Sequence, residues 1–175
     1  INAETGLYRA EISEKGAAIK HFVLREHKAE TGSDAPPKQL VPAANSRGTA
    51  LIRPAAPQLP DLSSEVFTTS YDGSRVHVRD SPESISFFWQ SREGLVIEKQ
   101  YVFHPDSYRI EMRVRLTNQS NAPLDSGLFV DMTNPPPDGS RFVFEGPFAY
   151  INQELEEIDV GDIEDKSMYS GTIKW

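Results

Sequence analysis

The chain has 175 residues, 38% of them hydrophobic and 10% aromatic, and this length is sufficient for a core of its own. The 18 Lys and Arg residues against 26 Asp and Glu residues give a net charge of −8, which argues against nucleic-acid binding through a basic patch. No stretch approaches the roughly 20 apolar residues of a membrane span. The absence of cysteine excludes disulfide scaffolds, thiol nucleophiles and Cys-based metal sites.

The first half of the chain predicts two pairs of strands. Alternating apolar residues at 8–12 and 19–24 flank a turn at 14–16, which indicates an antiparallel pair. Asp72-Gly73 lies between two further β-prone runs, at 66–71 and 74–79. This dipeptide favours the type I′ turn, so a β-hairpin is predicted there.

Between these pairs, residues 30–62 contain six of the 13 prolines and no aromatic residue. A stretch this long and proline-rich predicts a loop or insertion that lies over the sandwich or along one of its edges. One edge strand is predicted within it, at 49–52.

The middle of the chain has the most regular alternation. Residues 85–89 and 95–103 predict two strands joined by a turn at 91–94, and Ile97, Lys99, Tyr101 and Phe103 share one face of the second strand. The next strand is predicted to place four apolar side chains in the core: Ile110, Met112, Val114 and Leu116. Eight or nine short strands in all predict an antiparallel all-β sandwich with little helix.

The last quarter predicts short strands at 128–132, 141–144 and 172–175, and one short helix at 152–158. Residues 142–165 contain eight acidic residues and no Lys or Arg, so this acidic segment accounts for the whole net charge. We interpret this acidic segment as a solvated face or loop. A calcium site is the alternative, although the carboxylate spacing does not match an EF-hand loop. Because the chain starts at Ile1 and stops within a predicted strand, we expect it to be a piece of a longer protein.

No set of residues in the sequence predicts an active site. The four histidines lack metal-ligand spacing, and neither a Gly-x-Ser-x-Gly elbow nor a glycine-rich phosphate loop occurs. We therefore expect no catalysis, no metal and no cofactor.

Three segments have patterns that go beyond simple alternation. They are LYRA at 7–10 with GAAIKHFVL at 16–24, GLVIEKQYVF at 94–103 with Tyr108 and the strand at 110–118, and GPFAY at 146–150 with GTIKW at 171–175. Together they resemble the periplasmic domain of the YidC membrane-protein insertase family of Gram-negative bacteria. The Lys-x-Tyr-x-Phe block at 99–103 is the most specific element, whereas Ala17 and Ala18 stand where the family often has a second glycine.

The resemblance implies a galactose-mutarotase-like β-supersandwich, a single periplasmic domain over residues 1–175 of an inner-membrane protein, with 30–62 as its Pro-rich loop. It implies an accessory, non-enzymatic role in the insertion and folding of inner-membrane proteins, alone or with the Sec translocon. The implied partners are nascent inner-membrane proteins, with SecYEG and SecDF as further candidates. The full-length protein would be membrane-embedded, and no nucleic acid is expected to bind.

Two other classes stay open on the residues alone. A carbohydrate-binding or mutarotase-like sugar-active protein has the same implied fold, but its chemistry needs a general acid and base on one sugar. A plain adhesion or scaffolding sandwich is the other. If the domain binds polypeptide, we expect weak binding at an apolar cleft or an exposed strand edge. Four aromatic residues are the candidates for contact, with core filling as the alternative for each: Trp89, Tyr101, Phe103 and Tyr108.

Overall fold

The computed structural model describes residues 1–55, 59–133, 148–157 and 173–174. All the regular secondary structure in these ranges is β-strand. The strands in chain order are β1 (Asn2–Glu4), β2 (Tyr8–Ile12), β3 (Ile19–Lys28), β4 (Pro37–Val41), β5 (Leu51–Pro54), β6 (Thr68–Thr69), β7 (Arg75–His77), β8 (Glu83–Gln90), β9 (Leu95–Phe103), β10 (Ile110–Asn118), β11 (Leu128–Asp131), β12 (Phe148–Ile151), β13 (Glu154–Glu157) and β14 (Ile173–Lys174). The all-β prediction is thus confirmed. The described ranges contain no helix suited by length and apolarity to spanning a bilayer.

The chain divides into two compact units, Ile1–Asn134 and Pro135–Trp175. The first unit holds a five-stranded sheet in the order β4-β3-β2-β1-β7, a four-stranded sheet in the order β10-β9-β8-β6, and the pair β11-β5. The second unit holds a three-stranded sheet in the order β13-β12-β14.

The two large sheets of the first unit share one hydrophobic core, as in a β-sandwich. Period-two alternation explains which side chains reach it, because successive residues of a strand point to opposite faces. The largest fully buried core side chains include Tyr8 and Ile12 from β2, and Ile85, Phe87, Ile97, Tyr101 and Phe103 from β8 and β9.

The predicted core row of β10 is only partly buried. Ile110, Met112, Val114 and Leu116 pack against the core, as expected, but none of them is fully enclosed. The reason is position in the sheet, because β10 is its outermost strand and has β9 as its only partner among the described strands.

The predicted hairpin around Asp72-Gly73 is wrong. The strands on either side, β6 and β7, belong to different sheets: β6 pairs with β8, and β7 pairs with β1. The β1–β7 pair is parallel, whereas the other described strand pairs are antiparallel. The turn therefore carries the chain from one sheet to the other, and Val76 and Val78 enter the core after it.

The predicted helix at 152–158 is also wrong within the described residues. Asn152 and Gln153 have φ of 52° and 75°, so the chain reverses and β13 runs antiparallel to β12. Two consecutive positive φ values are typical of the type I′ hairpin turn, in which Asn is favoured.

The proline-rich stretch is more regular than predicted. It contains β4, the outer strand of the five-stranded sheet, and β5, which pairs with β11. Pro37 and Pro54 stand at the first and last positions of their strands, where proline is tolerated. The predicted edge strand at 49–52 begins instead at Leu51, although Thr49 forms an isolated bridge with Ile19. The predicted strand at 141–144 and most of the acidic segment lie outside the described residues.

Candidate functional site

The side of β10 that faces away from β9 is unpaired among the described strands and offers backbone groups to a partner. Gln119 donates its backbone N–H to the Gly94 carbonyl at 2.9 Å, one residue beyond the Asn118–Leu95 pair. In an antiparallel ladder hydrogen-bonded and non-hydrogen-bonded pairs alternate. The odd-numbered N–H groups of β10 therefore point to β9, and those of Ile110, Met112, Val114 and Leu116 point outward. We call this row the outer edge of β10.

The side chains beside the outer edge form an incompletely covered apolar row. On β9 the corresponding residues Ile97, Tyr101 and Phe103 are all 0% exposed. Their direct cross-strand partners Leu116, Met112 and Ile110 are only half-buried. A further strand added beside β10 would cover this row and pair its backbone, which is the geometry of β-augmentation.

The opposite face of β10 is charged. Glu111 accepts hydrogen bonds from Arg109 at 2.8 Å and Arg113 at 3.0 Å, and its carboxylate lies 3.0 Å from Nε2 of His104. The hydrogen bond from Arg113, followed by that from His104, holds the pKa of Glu111 below its usual value. Three arginines and one glutamate, counting Arg115, leave this face positive. Such charges keep an edge strand from pairing with copies of itself.

Tyr108 stands at the start of β10 as an exposed aromatic side chain. It is 39% exposed, and its hydroxyl lies 3.1 Å from Nε2 of His27 at the end of β3. The two rings are tilted, with centroids 5.6 Å apart. This contact connects the two large sheets at one corner of the sandwich.

The other three aromatic candidates are core residues. Tyr101 and Phe103 are 0% exposed, and the Tyr101 hydroxyl donates to the Ala17 carbonyl at 2.7 Å. Trp89 is 9% exposed and donates its indole N–H to Glu65 at 3.0 Å. The structure does not bring the four residues together on one surface, and of the four only Tyr108 is accessible to a partner.

A buried lysine is the feature that the sequence analysis missed. Lys99 is 0% exposed on the core face of β9. Its Nζ donates to the carbonyls of Gly16 at 3.2 Å and Ala17 at 2.8 Å, and also to that of Ala50. An ammonium group has three donors, so all three are used.

The environment of Lys99 is electrostatically unusual. Burial lowers its pKa to about 7, because the charged form loses its hydration. The Nζ also lies 5.3 Å from the centre of the Tyr101 ring. The same burial strongly raises the pKa of Tyr101. The backbone carbonyls replace water around the ammonium, which indicates a structural link between segments rather than a reactive amine.

The signal for Lys99 was present in the sequence. Lys99 occupies the buried register of the alternation, between Ile97 and Tyr101, where a lysine must find acceptors. Its acceptors could not be predicted, because they come from turns about 50 and more than 80 residues earlier. One of them, Ala17, has φ of 44°, a conformation that favours glycine and that explains why a glycine suits this position.

No metal or cofactor site is apparent in the part of the chain that the structure describes. Within it, no three His, Asp or Glu side chains are placed to share an ion. The histidines pair singly instead: His21 with Glu11, His77 with Glu4, and His104 with Glu111.

Comparison of the chain with known proteins finds one matching family and several similar proteins. The family model described as the YidC periplasmic domain matches residues 1–175. The membrane protein insertase YidC of Syntrophus aciditrophicus is 26% identical over 100% of this chain and 33% of its own length. That of Geobacter sulfurreducens is 29% identical over 92% of this chain and 30% of its own. The chain thus spans about a third of the length of these curated relatives.

Proposed function

The chain belongs to the YidC periplasmic domain family, and on this basis we propose that it is the accessory domain of a membrane-protein insertase. In this proposal it lies in the periplasm, as one domain over residues 1–175 of a bacterial inner-membrane protein. The domain acts without catalysis, by contacting polypeptides while the membrane-embedded part of the full-length protein inserts them. Its partners are nascent inner-membrane proteins, with SecYEG and SecDF as further candidates.

The observation that supports polypeptide contact is the outer edge of β10. It combines outward backbone N–H groups at alternate residues with a half-buried apolar row in a nine-residue strand. An extended segment that pairs there extends the sheet and completes the cover of the core. Tyr108, at the start of the strand, adds an accessible aromatic contact. Trp89, Tyr101 and Phe103 are buried, so they contribute to this surface only through packing in the core.

The experiment is an amide NMR titration of the domain with an extended peptide of about ten residues, close to the length of β10, with alternating apolar side chains. We expect the largest shifts at Ile110–Asn118. Val114→Pro removes one outward N–H and no bond to β9, so it should weaken binding at least about tenfold. Val114→Ala keeps the N–H and is the matched control, with a loss of about threefold or less.

A second probe keeps the domain unchanged. The same peptide, N-methylated at alternate residues, cannot pair along one edge and should not bind if backbone pairing carries the affinity. Equal binding of the methylated and unmethylated peptides, or shifts confined to residues outside β10 and Tyr108, would contradict the proposal. Periplasmic domains of SecYEG and SecDF, titrated in the same way, test the further partners.

The sugar-active alternative gains no support from the described site. His104 and Glu111 do lie together, but the hydrogen bond from Arg113, followed by that from His104 itself, lowers the pKa of Glu111 and makes it a weaker base.

A further inference from the structure

A basic depression lies away from β10, where three turns of the first unit meet. It has a volume of about 500 Å³. The turns are residues 14–17 between β2 and β3, 46–50 before β5, and 61–65 before β6. The lining side chains are Lys15, Lys20, Ser46, Arg47, Asp61, Ser63 and Ser64.

The three turns are cross-linked by backbone hydrogen bonds. Gly16 donates to the Glu65 carbonyl at 2.7 Å, and Ile19 and Thr49 exchange two bonds of 3.1 and 2.9 Å. Lys99 connects the first two turns from below, because its acceptors lie at Gly16 and Ala17 in one and at Ala50 in the other. The walls of the depression are therefore held in place without a ligand, and ordering them costs a ligand little.

Two glycines allow this close approach. Gly16 has φ of +68°, and a Cβ there would lie 2.8 Å from the Ser63 carbonyl oxygen. Gly48 has φ of +75°, and its Cβ would lie 2.6 Å from the Ile19 carbonyl oxygen. Any larger residue at either position would separate the turns.

Two of the three cationic groups are held over the depression by polar contacts. Lys20 Nζ donates to the Ser46 carbonyl at 2.6 Å, and Arg47 Nη2 donates to the Ser63 hydroxyl at 3.2 Å. Among the described residues, none of the three cations forms an ion pair with a carboxylate.

The one carboxylate in the depression, Asp61, is already hydrogen-bonded to Ser63 within it. Asp61 accepts the backbone N–H of Ser63 at 3.0 Å. Hydrogen bonds from Ser63 hold its pKa below the usual value, with smaller contributions from Arg47 and Arg53. Three cations and one anion leave a surplus of two positive charges here, in a chain whose net charge is −8.

We propose that the basic depression binds the phosphate group of an anionic ligand. A tetrahedral phosphate accepts from donors on several sides, which suits two ammonium groups, a guanidinium and neighbouring hydroxyls better than a flat carboxylate does. A phosphate monoester carries a charge of about −1.5 to −2 at neutral pH and a phosphodiester headgroup carries one negative charge, so the local positive surplus attracts both. The source is either a phospholipid headgroup or a soluble phosphorylated molecule. The inference is independent of β10.

The test is an amide NMR titration with inorganic phosphate near neutral pH, with chloride at equal ionic strength as the reference. We expect phosphate-specific shifts at Lys20, Arg47 and Ser63. The triple variant Lys15→Gln, Lys20→Gln, Arg47→Gln should weaken phosphate binding at least about tenfold. The control Lys28→Gln, Lys38→Gln, Arg92→Gln makes the same change of net charge at three exposed cations elsewhere and should leave binding unchanged.

Lys15→Gln alone provides a second measurement if the triple variant loses stability, because the Lys15 side chain makes no hydrogen bond or ion pair among the described residues. It should weaken phosphate binding by about threefold. Equal losses in the site and control triples would overturn the proposal, as would shifts that chloride reproduces.

Co-sedimentation with vesicles identifies the source of the phosphate. Binding to vesicles containing phosphatidylglycerol, but not to phosphatidylcholine alone, with loss in the site triple and not in the control, supports a headgroup. Phosphate-specific shifts without vesicle binding support a soluble ligand. Absence of both overturns the site.

Discussion

Lys99 connects three segments of the first unit through one ammonium group. Its three donors are hydrogen-bonded to the carbonyls of Gly16, Ala17 and Ala50, so the side chain links two turns to β9. Its burial is acceptable only with these acceptors, since an unpaired buried charge is strongly destabilising. A residue of the same volume but without hydrogen-bond donors therefore cannot replace Lys99.

Replacing Lys99 by methionine should destabilise the domain. Lys99→Met keeps the volume but removes the lysine donor from the carbonyls of Gly16 and Ala50, whereas the Ala17 carbonyl keeps the Tyr101 hydroxyl. This loss costs about 2–4 kcal/mol in the free energy of unfolding. Urea denaturation measures the change. Lys38→Met, at an exposed lysine on β4, is the control and should change stability by about 0.5 kcal/mol or less. A Lys99→Met variant as stable as the parent would show that the carbonyls find other donors.

The depressed pKa of Lys99 predicts a pH dependence of stability. The pKa is about 7 in the folded state against 10.5 for an ordinary lysine, so between these values the unfolded state binds more protons. The free energy of unfolding should therefore rise with pH from about 7 upward, by at most about 1.4 kcal/mol per pH unit from this one group.

The measurement is urea unfolding at several pH values, and Lys99→Met should lose this part of the slope. It is best made below the tyrosine pKa of 10.0, because burial raises the pKa of Tyr8 to about 12 and also that of Tyr101. Above that value the unfolded tyrosines lose protons first and stability falls. Identical slopes in the two proteins would contradict a depressed pKa at Lys99.

Among the elements, β9 and β10 show how the position of a strand in a sheet changes how much its apolar side chains are buried and how much they stabilise the fold. Both strands alternate without a fault, but among the described strands β9 lies between two partners and β10 has one. Ile97 is 0% exposed, and its cross-strand partner Leu116 is half-buried. Equal truncations at this pair therefore compare a central strand with an edge.

Ile97→Ala should cost about 2–5 kcal/mol, as a large-to-small change in a closed core does. Leu116→Ala should cost about 1–2 kcal/mol, because much of its side chain already contacts water. Chemical denaturation of the two variants gives the comparison. Equal costs would mean that β10 is covered as well as β9.

The turn between β12 and β13 gives an element-scale prediction for the second unit. Gln153 has φ of 75°, where a side chain is disfavoured, so Gln153→Gly should stabilise the hairpin by about 0.5–1 kcal/mol. Amide exchange at Ala149 and Glu156, the next hydrogen-bonded pair of the hairpin, should slow by about two- to fivefold. Gln153→Ala keeps the strain and should not slow exchange, whereas slowing by both substitutions would contradict the turn type.

At the scale of the whole molecule, the surroundings of one described histidine–carboxylate pair argue against its use in sugar chemistry. The His104–Glu111 pair lies among arginines that stabilise the carboxylate, and a general base needs the opposite. The protein should not accelerate the anomeric exchange of glucose or galactose above buffer, as followed by polarimetry, and His104→Ala should change nothing. An acceleration that disappears in His104→Ala would favour the sugar-active class.

The sequence predicted the strands that form the outer edge of β10 but not the arrangement of those strands. The alternation at 95–103 and 110–118 correctly predicted the two strands and their inward faces. The edge position of β10 and the partners of Lys99 depend on which segments of the chain come together. Strand pairing joins residues far apart in sequence, and local patterns do not record it.

The sequence by itself determined the all-β class, the faces of the long strands and the family, because each follows from local alternation or from motifs within single segments. Only the tertiary structure decided that the Asp72-Gly73 turn connects two sheets and that residues 152–153 reverse the chain, since a turn residue indicates where the backbone bends and not what the next strand pairs with. It also decided the two sites argued above. The outer edge of β10 exists because no described strand lies beyond it, and the basic depression exists because three distant turns are bonded together.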